Sequence, residues 1–176
     1  VRKRWQRYND FFKKYILLLK KREIFIFMEN NVTIRKARAD DIPTIYELVK
    51  ELAVYENAPE AVTATPADYL AAFKDSVFDC LVADVNGQVA GLAIYYQAFS
   101  TWKGKMFYLE DFVVAEAYRR LGIGQLLFDA FLADARDRDA VMVKWQVLDW
   151  NEPALRFYEK NKAIIEKEWW NGKIWF

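Results

Sequence analysis

The 176-residue sequence is 54% hydrophobic and 17% aromatic, enough to build a sizeable core and too apolar for a disordered chain. It has no histidine and a single cysteine, Cys80, which excludes Ser-His and Cys-His nucleophile pairs, His-ligated metal sites and intrachain disulfides; a reducing, cytoplasmic setting and no metal are expected. The net charge of +1 hides an asymmetry, because residues 1–27 carry nine Lys/Arg against Asp10 and Glu23 and leave an acidic body with a balance of −6, which favours a cationic small molecule over nucleic acid.

In the N-terminal stretch Trp5, Tyr8, Phe11, Phe12, Tyr15 and Ile16 fall roughly on one helical face, a pattern open to a membrane-surface helix or a nucleic-acid arm. Tyr15–Leu19 is too short an apolar run for a secretory signal. Met28 opens a normal-looking domain, so residues 28–176 are expected to form one domain and residues 1–27 to be a basic extension outside the working unit. Neither nucleic acid nor membrane is expected as a partner.

Val32–Arg38 alternates apolar and polar residues and reads as a strand. Asp40 or Asp41 then caps a helix with Pro43 in its first turn and Ile45, Leu48, Val49 and Leu52 as its buried stripe. Thr65-Pro66 opens a second helix with Tyr69, Leu70 and Phe73 inward. Phe78–Val85 and Val89–Tyr96 are strands joined by Asn86-Gly87, a strong hairpin signal. Gln97–Lys105 reads as a loop, Met106–Val114 and Val141–Leu148 as strands, and Asn151 as the cap of a short helix ending near Asn161. A closing hairpin, Ala163–Trp170 with Lys173–Phe176, is expected around Asn171-Gly172. This order implies an α/β fold with a mixed sheet and helices on both faces.

Between the strand ending at Val114 and a helix beginning near Ile123 lies the turn Tyr118-Arg119-Arg120-Leu121-Gly122-Ile123-Gly124-Gln125. A helix N-terminus exposes amides and the positive end of its dipole; Gly122 and Gly124 let a ligand approach the main chain, and Arg119 and Arg120 add charge suited to a pyrophosphate. A P-loop is excluded because no Lys-Ser/Thr follows the second glycine, and a dinucleotide fingerprint because Leu127 stands where its third glycine belongs.

Arg119-x-x-Gly122-x-Gly124 after a strand resembles the acyl-CoA pyrophosphate loop of the GNAT superfamily of N-acetyltransferases. Tyr108-Leu109-Glu110-Asp111-Phe112, and Trp150-Asn151-Glu152-Pro153-Ala154 followed by Phe157-Tyr158, are similar to its diamine (spermidine/spermine) acetyltransferase branch. Leu148-Asp149-Trp150-Asn151 and Ser100-Thr101-Trp102-Lys103-Gly104 resemble the related thialysine N-ε-acetyltransferases. Arg120 replaces a common glycine, Lys162 replaces the glycine usual before Ala163, and Ser100 stands where the spermidine enzyme has an acid. The resemblance implies acetyl-CoA held in a cleft where two parallel strands splay apart. The main chain of Phe112, Val113 and Val114 would pair with the pantetheine arm, and Arg119, Arg120, Leu121, Gly122, Ile123, Gly124 and Gln125 would form the pyrophosphate loop. Asn151 and Ala154 would lie further along the cofactor, with Tyr158 beside the thioester sulfur. A homodimer is also implied.

Acetyl transfer to a primary amine requires an ammonium to lose a proton, a carbonyl oxygen to be stabilised and a departing thiolate to gain a proton. Tyr158 is a candidate for the last role, or else a core tyrosine. Adjacent strand residues face opposite sides, so one of Glu110 and Asp111 is expected to meet the cleft, Glu110 as general base or substrate anchor with Asp111 as helper; the alternative is a pair held by lysines in a structural network. Tyr55, Glu56, Tyr95, Ser100 and Trp102 are candidate acceptor contacts, since carboxylates and aromatic faces suit an alkylammonium. The expected activity is acetylation of a small cationic amine by direct transfer in a ternary complex. The competing expectations are a protein N-terminal or lysine acetyltransferase of the same fold, and a binding module using the N-terminal helix.

Overall fold

A computed structural model of the chain describes residues 32–175; the expectations for the basic N-terminal stretch lie outside the described residues. The chain falls into two units, one ending at Lys144 and one beginning at Trp145.

The first unit is built on β1 (Val32–Lys36), β2 (Asp79–Val85), β3 (Gln88–Ser100) and β4 (Gly104–Val114), consecutive antiparallel neighbours in a sheet whose order is β1-β2-β3-β4-β5. At the β2–β3 turn Asn86 and Gly87 both take left-handed backbone, φ 53° and 84°, the requirement that makes Asn-Gly a hairpin signal. The loop expected over residues 97–105 is instead mostly strand. Pairing continues to Ser100 opposite Gly104, and only Thr101–Lys103 lie between. Continuing the ladder satisfies main-chain groups that a loop would leave to water, and it stacks Tyr96 on Tyr108 across the strands, centroids 5.4 Å apart.

β5 (Met142–Trp145) is shorter than the expected Val141–Leu148. The chain leaves it to turn into the next helix, with the Asn151 N–H donating to the Leu148 carbonyl. At its start the Val141 N–H donates to the Lys105 carbonyl at 2.9 Å. The opening of β5 thus lies beside the opening of β4, and β4, at eleven residues against four, runs on beyond it.

Helices α1 (Ile42–Tyr55) and α2 (Pro66–Lys74) cover one face of the sheet and α3 (Ile123–Asp137) the other. Ile42, Ile45, Leu48 and Val49 of α1 pack with Cys80, Val82, Leu92, Ile94 and Val113, each large apolar side chain contributing about 1.5–3 kcal/mol when fully buried. On the opposite face Phe131 of α3 lies 4.9 Å from Tyr95 and Phe128 lies 5.8 Å from Phe112, between ring centroids. Thr65 and Asp68 form a capping box at α2. Asp41 precedes α1, but its carboxylate accepts from the Arg38 N–H and from Arg35 at 2.7 Å each, so it ties β1 to the turn before the helix and does not cap α1. Cys80 is buried, and burial pushes its thiol up to about 12, which leaves it inert.

The second unit contains α4 (Glu152–Lys160), capped by Asn151 as expected. The expected closing hairpin is absent from the described residues, which carry no strand between 161 and 175; Phe176 lies outside them. Ile164, Trp169, Trp170, Ile174 and Trp175 are all at least 70% exposed. An alternating pattern acquires a register only where one of its faces is buried, and here neither is.

Two backbone positions carry testable consequences. A Cβ on Gly91 would stand 2.8 Å from the Val113 carbonyl oxygen and 3.2 Å from Leu127 Cδ1, so Gly91→Ala is expected to destabilise the fold by about 1–3 kcal/mol in denaturant titration. Lys162, just past α4, holds φ 61°, a conformation that glycine adopts without the Cβ penalty; Lys162→Gly is expected to stabilise by about 0.5–1 kcal/mol in the same assay.

Candidate active site

The acids on β4 are arranged by a break in the strand's period. Tyr95 pairs with Leu109 and Ile94 with Asp111, which leaves Glu110 as an extra residue with no partner position on β3. This is a β-bulge, and it returns Asp111 to the face occupied by Ile94, the face covered by α1. The expectation that Glu110 and Asp111 would point to opposite sides is therefore corrected: alternation holds only in an uninterrupted strand.

The electrostatics agree with that geometry. Burial, followed by the negative charges of Glu110 and then Glu56, raises the Asp111 carboxyl from 3.8 to about 6. Glu56, immediately after α1, is itself raised by burial. The Tyr69 hydroxyl is pushed up to about 12 by burial and by the charges of Asp111, Tyr46 and Glu110. Tyr96 and Tyr108 are raised by burial with Glu110 next in effect. Three carboxylates thus share one neighbourhood with four tyrosines, and Tyr46 and Tyr69 meet edge to face at 5.4 Å. Concentrated negative charge among π faces is an environment for an alkylammonium group.

Of the acceptor contacts expected from sequence, Glu56 joins this cluster. Tyr95 does not. It is fully buried on the α3 face, donates to Asp134 Oδ2 at 2.6 Å and accepts from Lys36 Nζ at 2.6 Å. Its neighbour Tyr96 takes the place beside Glu110, and period 2 would have identified it had the bulge been placed. Ser100 and Trp102 sit at the hairpin end, where the Ser100 Oγ accepts from the Lys103 N–H and Trp102 is 82% exposed. Ser100 is six residues along β3 from Ile94, a run of about 20 Å at strand rise. Tyr46 and Tyr69 carry no motif and Tyr108 only heads the segment Tyr108–Phe112; the tertiary fold brings the three together.

β4 leads through a short 3₁₀ turn, Glu116–Tyr118, into the glycine-containing loop. Arg120 and Gly122 are both left-handed, φ 64° and 82°. Gly122 is the N-cap of α3, with no side-chain cap; its carbonyl receives the Gln125 and Leu126 amides at 2.9 and 3.2 Å. Helix geometry leaves the amides ahead of Gln125 without intrahelical acceptors. A Cβ on Gly124 would stand 3.8 Å from Val114 and 4.0 Å from Phe112, so the loop and the end of β4 adjoin at this bare Cα. An uncapped helix start with two glycines, beside the end of a strand, fits a pyrophosphate followed by an extended arm.

The Arg119 Nε donates to the Val114 carbonyl at 3.0 Å, and its guanidinium lies 5.4 Å from the Tyr55 ring centroid. In the second unit, Asn151 Oδ1 accepts from the Ala154 N–H at 3.3 Å. Tyr158 is buried, its ring 4.7 Å from Trp145 and 5.5 Å from Phe157.

Comparison with known proteins accords with this arrangement. Residues 42–162 match the Acetyltransferase (GNAT) family. The chain is 34% identical over 152 residues to thialysine N-ε-acetyltransferase of Bos taurus, covering 80% of this chain and 89% of that protein. It is 38% identical over 140 residues to spermidine/spermine N(1)-acetyltransferase-like protein 1 of Homo sapiens, covering 74% of this chain; the match spans only 20% of that longer protein. A crystal structure of an aminoglycoside acetyltransferase from an uncultured soil sample shares the fold with a TM-score of 0.72 at 18% identity, over 85% of this chain and 99% of that one. The chain belongs to the GNAT family of acetyltransferases.

Proposed function

We propose that the protein transfers an acetyl group from acetyl-CoA directly to the primary amine of a small cationic acceptor, such as a polyamine, thialysine or a lysine-like amino acid. The observation that carries this reading is the gathering of Glu56, Glu110 and Asp111 by the β4 bulge. The names of the relatives, one a thialysine and one a spermidine/spermine acetyltransferase-like protein, support it.

Acetyl-CoA supplies the activated acetyl group as a thioester. Arg119, Arg120, Leu121, Gly122, Ile123, Gly124 and Gln125 would hold its pyrophosphate, the main chain of Phe112, Val113 and Val114 would hold the arm, and Asn151 and Ala154 would serve it further along. An alkylammonium near pKa ~10 is a reluctant proton donor to an ordinary carboxylate near ~4, and a carboxylate near 6 shortens that gap by about two units. Asp111 therefore takes the proton, directly or through water. Glu110, more exposed, is the anchor, with Glu56 as a second negative charge for the acceptor. These roles reverse the order expected from sequence, because the bulge and the burial single out Asp111. The neutral amine would form its C–N bond to the acetyl carbonyl as the C–S bond breaks, while main-chain amides at the end of β4 would steady the carbonyl oxygen. The Tyr158 hydroxyl would donate to the departing sulfur and be reprotonated, through water, by the proton that the new amide nitrogen loses. Among the described residues the one cysteine, Cys80, is buried with its thiol raised, so direct transfer is preferred to an acyl-enzyme.

A homodimer is part of the same reading. The exposed Ile164, Trp169, Trp170, Ile174 and Trp175 provide apolar area for a partner subunit to cover.

Thiol release measured with acetyl-CoA and a panel of amines is the primary test; no turnover with any amine overturns the proposal. In the active enzyme kcat/KM should rise through an acid limb near the Asp111 value of about 6. Glu110→Gln should move that limb downward by removing a repelling charge, and Asp111→Asn should abolish it. Because Asp111 is raised on folding, its charged form costs stability above about 6, and the cost fades as pH falls toward 3.8. Asp111→Asn is therefore expected to be more stable than wild type at pH 8 by about 1–3 kcal/mol, with the difference vanishing near pH 4 in thermal melts. Tyr158→Phe should lower kcat by roughly 10²-fold with little change in amine KM.

A further inference from the structure

Tyr55 precedes Glu56 at the end of α1, and on sequence it reads as an acceptor contact. The structure gives its ring a different neighbour. The Arg119 guanidinium lies 5.4 Å from the ring centroid, within cation–π range, while the Arg119 Nε–H is held by the Val114 carbonyl at 3.0 Å. A guanidinium fastened by its Nε and backed by a ring has its orientation set by the protein, and its Nη donors remain for an anion.

The loop behind Arg119 needs such support. Arg120 stands in left-handed backbone, φ 64°, and Gly122 follows at 82°, so a side-chain-bearing residue is held where such residues cost about 1 kcal/mol or more. The ties at the entrance are the Arg119 N–H to the Glu116 carbonyl at 3.2 Å, the Tyr118 hydroxyl to Gln88 Oε1 at 2.9 Å, and the Arg119 side chain itself. Of these, the Arg119 side chain alone reaches both the end of β4 and the end of α1.

We propose that Tyr55 is a positioning residue for the cofactor and not an acceptor contact: its ring seats Arg119, and Arg119 in turn aims the pyrophosphate loop. This rests on the acetyl-CoA reading above. The proposal separates the roles of two adjacent residues, since Glu56 faces the acids and Tyr55 serves the loop. It also explains why an aromatic ring 37% exposed to solvent stands at this point of the surface.

The test is calorimetric titration of coenzyme A into the full chain, with steady-state kinetics in parallel. Tyr55→Leu, which changes no charge, should weaken coenzyme A binding by roughly two- to fivefold, while Tyr55→Phe, which keeps the ring, should bind as wild type does. In an Arg119→Ala background Tyr55→Leu should have no further effect, because its route to the loop is gone. Amine KM at saturating acetyl-CoA should not move in Tyr55→Leu. Wild-type affinity in Tyr55→Leu overturns the inference, as does an equal loss on top of Arg119→Ala, or an amine KM that rises while coenzyme A affinity holds. If Tyr55→Leu melts early, a lowered affinity in Tyr55→Phe, whose ring is intact, decides against the proposal in its place. A wild-type chain that binds no coenzyme A removes the functional reading and this inference together; a wild type that binds and a Tyr55→Leu that binds equally removes this inference alone.

Discussion

One extra residue on β4 sets the surroundings of Asp111. Had β4 kept strict register with β3, Asp111 would share the α3 face with Leu109 and Tyr95 and lie away from Glu56. The bulge at Glu110 breaks the alternation once and resumes it, so that Asp111, opposite Ile94, turns toward α1 and Glu56. Raising a carboxyl from 3.8 to about 6 stores about 3 kcal/mol against its ionisation. The apolar cluster under α1 offsets that cost, since a single well-buried leucine or isoleucine contributes a comparable amount.

The opposite face of the same sheet shows what partly exposed charges do when each is paired. Tyr95 bridges Lys36 and Asp134, Lys36 reaches Asp134 at 2.8 Å, and Arg138 bonds Asp79 while lying 4.3 Å from the Phe107 ring centroid. Each charge there has an opposite charge beside it, and Asp134 is held below the usual carboxylate range by Lys36 and Tyr95 against the effect of burial. On the α1 face Asp111 is raised by burial and by the charges of Glu110 and Glu56, while Lys50 Nζ lies 5.5 Å from the Tyr46 ring centroid. A matched network rigidifies a fold, whereas carboxylates grouped together raise one another's affinity for a proton.

The loop before α3 is shaped by main-chain conformation more than by side-chain identity. Gly122 supplies left-handed backbone at the start of α3, and Arg120 takes the same conformation despite its side chain. A side chain there gives up the conformational ease of glycine and adds a second positive charge at a helix N-terminus.

The sequence by itself determined the elements and the family. Helical spacing located α1, α2 and α3, Asn86-Gly87 located a hairpin, and Arg119-x-x-Gly122-x-Gly124 located the loop, because each is a local pattern whose cause lies within a few residues. The strand pairing past Tyr96, the early end of β5 and the absence of a closing hairpin among the described residues depend on partners distant in sequence, which periodicity does not register. The facing of Glu110 and Asp111 belongs to the same class. A bulge is a mismatch between two strands, so neither strand's own residues announce it, and only their pairing reveals that Asp111 meets Glu56 while Tyr95 turns away.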